Sequence, residues 1–168
     1  MFFKKINFHK PVWNINFDIP KPGLTVQEIH YKNVEEIIPV DLLGKLQAID
    51  QAPEYIRIFV WPKNYCGIWH IDGVWATTRY CAMNWILQGS GIVQFNSNMQ
   101  DWEARTHKNY LTTVVESESI ADGYLINTGV PHRVITQEDG RVTVSLAWKS
   151  KDIPFSEMVG KLSKIGLV

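Results

Sequence analysis

The chain has 168 residues, 45% of them apolar, and its 17 basic residues balance its 17 acidic ones. This length suits a single domain over residues 1–168, and the apolar fraction excludes wholesale disorder. Zero net charge argues against nucleic acid as a partner, because nucleic-acid-binding proteins carry a basic surface. No apolar run approaches the length of a membrane span, and residues 1–10 lack the apolar stretch of a signal peptide. We therefore expect a cytoplasmic protein with no membrane partner, and its oligomeric state stays open.

Residues 1–54 are expected to hold extended pieces followed by one helix. Prolines and a glycine interrupt residues 1–31, which favours extended segments and turns. Asn33 is a suitable N-cap for a helix over residues 34–49, which Pro39 is expected to break or restart. The apolar positions with helical spacing in this segment are Leu42, Leu43, Leu46 and Ile49.

Residues 55–149 have the pattern of a β-barrel core. Short segments rich in β-branched and aromatic residues alternate with turn signals such as Asp122-Gly123 and Asp139-Gly140. This pattern predicts a mainly β fold, a closed antiparallel jelly roll. One short helix is expected to follow within residues 150–168. The predicted strands are Tyr55–Trp61, Gly67–Ile71, Thr78–Leu87, Gly91–Phe95, Tyr110–Glu116, Tyr124–Asn127, His132–Thr136 and Arg141–Trp148.

The segment from Gly67 to Gly73 contains a candidate pair of metal ligands. On a strand, residues i and i+2 point to the same face, so His70 and Asp72 are expected to stand side by side, roughly 6–7 Å apart along the chain. An ionised aspartate on an apolar strand is costly unless a cation compensates its charge. A lone His-x-Asp pair also occurs by chance, and it then consists of a core histidine and a loop-capping aspartate.

His132, directly after Pro131 at the start of a strand, is the candidate third ligand. Two imidazoles and one carboxylate on one face of an ion leave coordination positions open, as in non-haem Fe(II) oxygenases. The alternative is an ordinary histidine after a proline turn.

Arg141, Thr143 and Ser145 share one face of the last predicted strand. A guanidinium with nearby hydroxyls suits a carboxylate, so this face is either the wall of an anion-binding cavity or a solvent-exposed surface. A flat hairpin at Asp139-Gly140 would separate Arg141 from His132. The cavity interpretation therefore requires the chain to pass from one sheet to the other at this corner.

These residues together resemble the Fe(II)- and 2-oxoglutarate-dependent dioxygenases. The resemblance covers residues 55–148 and rests on the order and spacing of His70-x-Asp72, His132 and Arg141. It implies a double-stranded β-helix of eight strands, a cupin-like fold that agrees with the strand count above. It also implies that His70, Asp72 and His132 hold Fe(II).

The resemblance further implies that 2-oxoglutarate is the co-substrate, with O2 as oxidant and ascorbate as a reductant. Arg141, helped by Thr143 or Ser145, would hold the far carboxylate of 2-oxoglutarate. Decarboxylation to succinate and CO2 would be coupled to oxidation of the substrate. Asn84, a polar residue on an apolar strand, is a further candidate for binding the co-substrate, although a structural hydrogen bond explains it equally well.

The substrate is expected to be a small molecule or a peptidyl side chain, and hydroxylation of an amino-acid side chain is our preferred interpretation. Arg79, Trp75 and Trp102 are candidate substrate contacts. The polar segment 96–109 is longer than most strand connections, which favours a lid or entrance.

Two other function classes remain open. One is a cupin-like Zn or Mn metalloenzyme, which would not release succinate from 2-oxoglutarate. The other is a non-catalytic β-sandwich binding module that uses some of the seven tryptophans, and it would hold no metal.

Overall fold

The computed structural model describes residues 1–8, 11–13, 15, 24–74, 77–78, 80–96, 116–119, 123–148 and 153–168. Within these ranges the chain forms three helices and nine strands. The helices are α1 (Val34–Ile37), α2 (Val40–Ala48) and α3 (Phe155–Lys164). The strands are β1 (Phe3–Lys5), β2 (Gln27–Tyr31), β3 (Tyr55–Trp61), β4 (Gly73–Val74), β5 (Thr77–Thr78), β6 (Ala82–Phe95), β7 (Glu116–Ser119), β8 (Tyr124–Ile126) and β9 (His132–Ala147).

The helical segment before the core is split in two by Pro39, as expected. Ile38 is extended, with ψ 133°, because a residue that precedes proline is sterically disfavoured from the helical region. The helices present apolar faces to the sheet, and in α3 these are Phe155, Met158 and Leu162, with helical spacing. No helix in the described ranges is long and apolar enough to cross a membrane.

Strands β6 and β9 organise the sheet, because they pair antiparallel along nearly their whole length, from Ala82 opposite Ala147 to Phe95 opposite His132. The first half of β6 and the second half of β9 belong to one layer, with strand order β2-β3-β9-β6-β8-β1. The other halves form a second layer, in which β7 pairs with β6 and the segment containing Cys66 and His70 bridges to β9. Two layers built from shared, bent strands are the arrangement of a jelly roll.

Both long strands bend where glycines face each other. The pairing register shifts between Ile86 and Gln88 and again between Gly89 and Gly91. Gly89 has φ 76° and Gly140 has φ 68°, a conformation that favours glycine. A Cβ atom on Gly89 would lie 2.0 Å from the carbonyl oxygen of Gly140, so the two backbones approach too closely for a side chain.

These bends correct part of the strand prediction. The expected turn at Asp139-Gly140 does not end a strand, because β9 runs through it and only changes layer there. The predicted strands 78–87 and 91–95 are likewise replaced by one strand, β6. The segment 67–71 has one isolated bridge, at His70, in place of a continuous strand. The predicted strand Tyr110–Glu116 falls, except for Glu116, outside the described residues.

Side-chain alternation divides each strand of the first layer between two environments. Val142, Val144 and Leu146 on β9 join the core that packs under the helices. The alternate positions of the same strand face a cavity between the two layers. The prediction of a mainly β, antiparallel, jelly-roll fold with helices before and after the core is thus confirmed, with two short helices in place of one before it.

Candidate metal centre

His70 and His132 are held opposite each other by the backbone. Each donates its amide N–H to the carbonyl oxygen of the other, at 3.0 and 2.9 Å, and their ring centroids are 4.5 Å apart. Asp72 is tied in the same way, because its amide donates to the carbonyl oxygen of Thr128 at 3.0 Å. Backbone pairing between segments some sixty residues apart therefore brings the three side chains together. Local spacing in the sequence relates only His70 and Asp72.

The ligand atoms of the three side chains converge. One atom each from His70, Asp72 and His132 lies within 4.8 Å of the others, and Asp72 Oδ1 is 3.6 and 3.8 Å from the Nε2 atoms of the two histidines. Two donor atoms about 2.1 Å from one ion and at a right angle are about 3.0 Å apart, so a small inward movement suffices. The triad could hold a metal ion.

A hydrogen bond at Nδ1 orients each imidazole for metal binding. Nδ1 of His70 lies 3.0 Å from the carbonyl oxygen of Ile68, and Nδ1 of His132 lies 2.9 Å from that of Val130. A carbonyl only accepts hydrogen bonds, so the proton of each neutral ring sits on Nδ1 and the Nε2 lone pair faces the centre. Partners of this kind fix ring orientation in many metal sites.

The triad lies at the wall of a cavity of about 260 Å³ between the two layers. Arg141, Thr143, Ser145 and Asn84 line the same cavity, together with apolar side chains and three further polar ones. Asn84 and Ser145 are directly opposite each other on β6 and β9, and both are buried. The corner at Gly89 and Gly140 is what brings Arg141 into the space that His132 faces.

Arg141 is a cation with spare hydrogen-bonding capacity, although it is only 2% exposed. Its Nε donates to Thr143 Oγ1 at 2.8 Å, and one terminal nitrogen donates to the Tyr124 hydroxyl. The other terminal nitrogen, Nη1, is buried without a hydrogen-bond partner, and no carboxylate of the described residues pairs with this guanidinium. An unpaired buried charge is unfavourable, so an anion in the cavity would stabilise this guanidinium.

Arg79, Trp75 and Trp102 lie outside the described residues, as does all of the expected lid segment 96–109 except Asn96.

Sequence reasoning missed three polar cavity residues, Arg57, Glu28 and Tyr124. Arg57 Nη1 lies 3.1 Å from Glu28 Oε1, and Nη2 lies 3.8 Å from Asp72 Oδ2. A signal was present, because Arg57 is the only charged residue in the apolar strand Tyr55–Trp61. Tyr124 could not be identified in this way, since a tyrosine in a strand usually only packs against its neighbours.

No protein-family model matches the sequence, and no curated protein matches it. Among solved structures, the chain is similar to AviO1 from Streptomyces viridochromogenes Tue57, with 13% identity and a TM-score of 0.41 over 69% of this chain and 60% of that one. It is also similar to vicilin from hazelnut, Corylus avellana, with 12% identity and a TM-score of 0.40 over 74% of this chain and 30% of that one. The chain thus spans less than two thirds of either protein. Likeness at this level concerns the course of the strands and supports no inference about activity.

Proposed function

We propose that the protein is an Fe(II)- and 2-oxoglutarate-dependent dioxygenase that hydroxylates an amino-acid or peptidyl side chain. The observation that carries the proposal is the presence, in one cavity, of a His-Asp-His triad and a buried arginine with an unpartnered nitrogen. Either feature alone also occurs in proteins with different chemistry. Together they suit a co-substrate that binds a metal at one end and a guanidinium at the other.

The donor set fits Fe(II). Two neutral imidazoles and one carboxylate, contributed by His70, His132 and Asp72, match the ligand preference of this ion and leave positions for other ligands. Asp72 is largely buried, with 17% of its side chain exposed, and a cation offsets the cost of burying its charge. Bound there, Fe(II) would supply the redox chemistry that couples decarboxylation of 2-oxoglutarate to oxidation of a substrate by O2.

Arg141 would bind the far carboxylate of 2-oxoglutarate. Its Nη1 is free to donate, while Thr143 and Tyr124 hold the rest of the guanidinium in place. A charge-assisted hydrogen bond to a buried guanidinium is stronger than the same bond at the surface. Ser145 and Asn84 offer further polar groups to the oxygens of the co-substrate.

The size of the cavity limits the substrate. A volume of about 260 Å³ is below the ~300–1,000 Å³ typical of sites for drug-sized ligands. Much of this space would be taken by 2-oxoglutarate. The substrate therefore either is small or inserts one side chain, which supports an amino-acid or peptidyl group. Arg79, Trp75 and Trp102 stay candidates for contacting it.

The test is an anaerobic titration of the Fe(II)-loaded protein with 2-oxoglutarate, followed through the visible charge-transfer band of this chelate. We expect a saturable band in the wild type and in Lys45→Ala, which changes an exposed residue of α2, and no band in His132→Ala. Succinate formation in air is the second readout.

Different outcomes favour the competing functions. Bound metal without a band or succinate would favour a Zn or Mn metalloenzyme on the same fold. A protein that takes up no metal and is unaffected by chelators would favour a binding module.

A further inference from the structure

Arg57 sits between the carboxylate of Glu28 and that of Asp72, a member of the metal triad. Its Nη1 contacts Glu28 at 3.1 Å, and its Nη2 faces Asp72 Oδ2 at 3.8 Å. The guanidinium lies over the ring of Phe59, with 4.8 Å from its central carbon to the ring centroid. Strand β3 and the aromatic ring together fix the position of Arg57, of whose side chain only 13% is exposed.

The two oxygens of Asp72 therefore face different groups. Oδ1 points at both imidazoles, and Oδ2 points at Arg57. A carboxylate whose second oxygen is paired with an arginine binds an ion through one oxygen only. Glu28 lines the same cavity and is held on the other side of the same guanidinium.

Without Arg57, both carboxylates would be drawn to a dication. Hard divalent ions accept carboxylates through one or two oxygens. Glu28, which would keep its 3.1 Å contact with the exposed His30, would then be free of the guanidinium and available as an additional ligand. The extra oxygens would tighten metal binding but fill positions that the co-substrate needs.

We propose that Arg57 is a positioning residue that keeps the open side of the metal centre clear, by holding Asp72 to one metal-facing oxygen and Glu28 away from the ion. The inference rests on the metal site of the proposed function and not on its co-substrate. It predicts that replacing Arg57 strengthens metal binding, whereas replacing a residue that only supports the site would weaken it.

The test compares wild type with Arg57→Gln, using Mn(II) as the probe. Free Mn(II) is measured by electron paramagnetic resonance, and water bound to the protein-held ion is measured by water-proton relaxation. Even at the dielectric constant of water, about 80, a unit positive charge about 6 Å from a dication opposes its binding about tenfold. We expect Arg57→Gln to bind Mn(II) about tenfold more tightly. Its relaxation enhancement per bound ion should fall by about one to two thirds, as one or two of the three open positions are filled.

Two further variants separate the contributions. Arg57→Gln combined with Glu28→Gln should recover part of the relaxation enhancement, because the intruding glutamate is gone. Arg133→Gln is the matched control, since Arg133 contacts Gln94 and the ring of Trp69 and does not line the cavity. If Arg57→Gln does not fold, Arg57→Met, which also removes the positive charge, carries the same test with changes of the same sign.

Weaker Mn(II) binding by the folded Arg57 variant would overturn the inference, as would an unchanged relaxation enhancement. A wild type that binds Mn(II) but shows no response to 2-oxoglutarate would refute the proposed function and leave the inference about Arg57 standing. A wild type that binds no Mn(II) would overturn both.

Discussion

Replacing Gly89 with alanine tests whether the bent corner of β6 and β9 assembles the site. At φ 76° an L residue costs about 1–2 kcal/mol relative to glycine. The new Cβ would also meet the Gly140 carbonyl oxygen at 2.0 Å and the Arg141 Cα at 3.1 Å. Relieving such an overlap by moving backbone costs about 1–3 kcal/mol more. We expect Gly89→Ala to destabilise the protein by about 3 kcal/mol, which lowers Tm by about 6–12 °C at this chain length.

The matched control is Gly160→Ala in α3. A Cβ there meets nothing within 4 Å, and alanine in a helix is favoured over glycine by about 1 kcal/mol, so this variant should be slightly more stable. Thermal and urea unfolding would be measured on both proteins. In the folded Gly89→Ala variant we also expect weaker 2-oxoglutarate binding with Mn(II) affinity retained, because the corner carries Arg141 and not the triad. A loss of stability under about 1 kcal/mol would mean that the corner is loosely packed and that our reasoning about it is wrong.

Three further predictions concern the metal centre and the core. Asp72→Asn should abolish Fe(II) uptake while Asp41→Asn, an exposed change in α2, leaves it intact; metal content after dialysis decides this. Mn(II) at 100 times its Kd should stabilise the wild type by about 2.7 kcal/mol, reversibly with a chelator, and a Tm independent of Mn(II) would contradict the site. Met158→Ala, at a fully buried position of α3, should cost about 2–5 kcal/mol in urea unfolding without changing Mn(II) affinity, and a drop in that affinity would mean that α3 supports the site directly.

The features of the site that depend on local periodicity could be predicted from the sequence. His70 and Asp72 lie two residues apart, and their ligand atoms do meet. Arg141 and Thr143 lie on one face of a strand and are joined by a hydrogen bond across that face. For Arg141 and Thr143 this follows from alternation along β9, which is a property of the backbone itself. His70 and Asp72 lie outside a continuous strand, and backbone hydrogen bonds to His132 and Thr128 keep them together.

The features that depend on tertiary pairing could not be predicted in the same way. Asp139-Gly140 has the composition of a hairpin turn, yet here the strand continues and bends, because Gly89 of another strand faces that bend. Arg57 was missed for a related reason. A charge on an alternating strand usually marks the solvent face, and only the second layer, folding over β3, turns that face into a cavity wall.

Strand β9 has one face in the core and one face in the cavity, and paired substitutions should separate the contributions of the two faces. Leu146 is fully buried in the core beneath the helices, so Leu146→Ala should cost about 2–5 kcal/mol and leave the 2-oxoglutarate affinity of the folded, metal-loaded protein unchanged. Arg141→Met should leave the stability of the protein nearly unchanged and weaken 2-oxoglutarate binding. It removes a buried charge that no described carboxylate balances, and replacing such charges with apolar groups is often neutral or stabilising.

The same substitution removes the group that would bind the far carboxylate of 2-oxoglutarate. Truncating one member of a buried charge pair costs about 2–5 kcal/mol of binding, or about thirtyfold or more in affinity. Urea unfolding without ligand, and titration of the Mn(II)-loaded protein with 2-oxoglutarate, would be measured for both variants. An Arg141→Met protein that is much less stable and binds 2-oxoglutarate normally would make Arg141 a structural residue, held for its bonds to Tyr124 and Thr143. An Arg141→Met protein that is at least as stable as the wild type and binds 2-oxoglutarate weakly would have the opposite meaning. The cavity would then keep an unpaired cation, at a cost in stability, because its ligand is an anion.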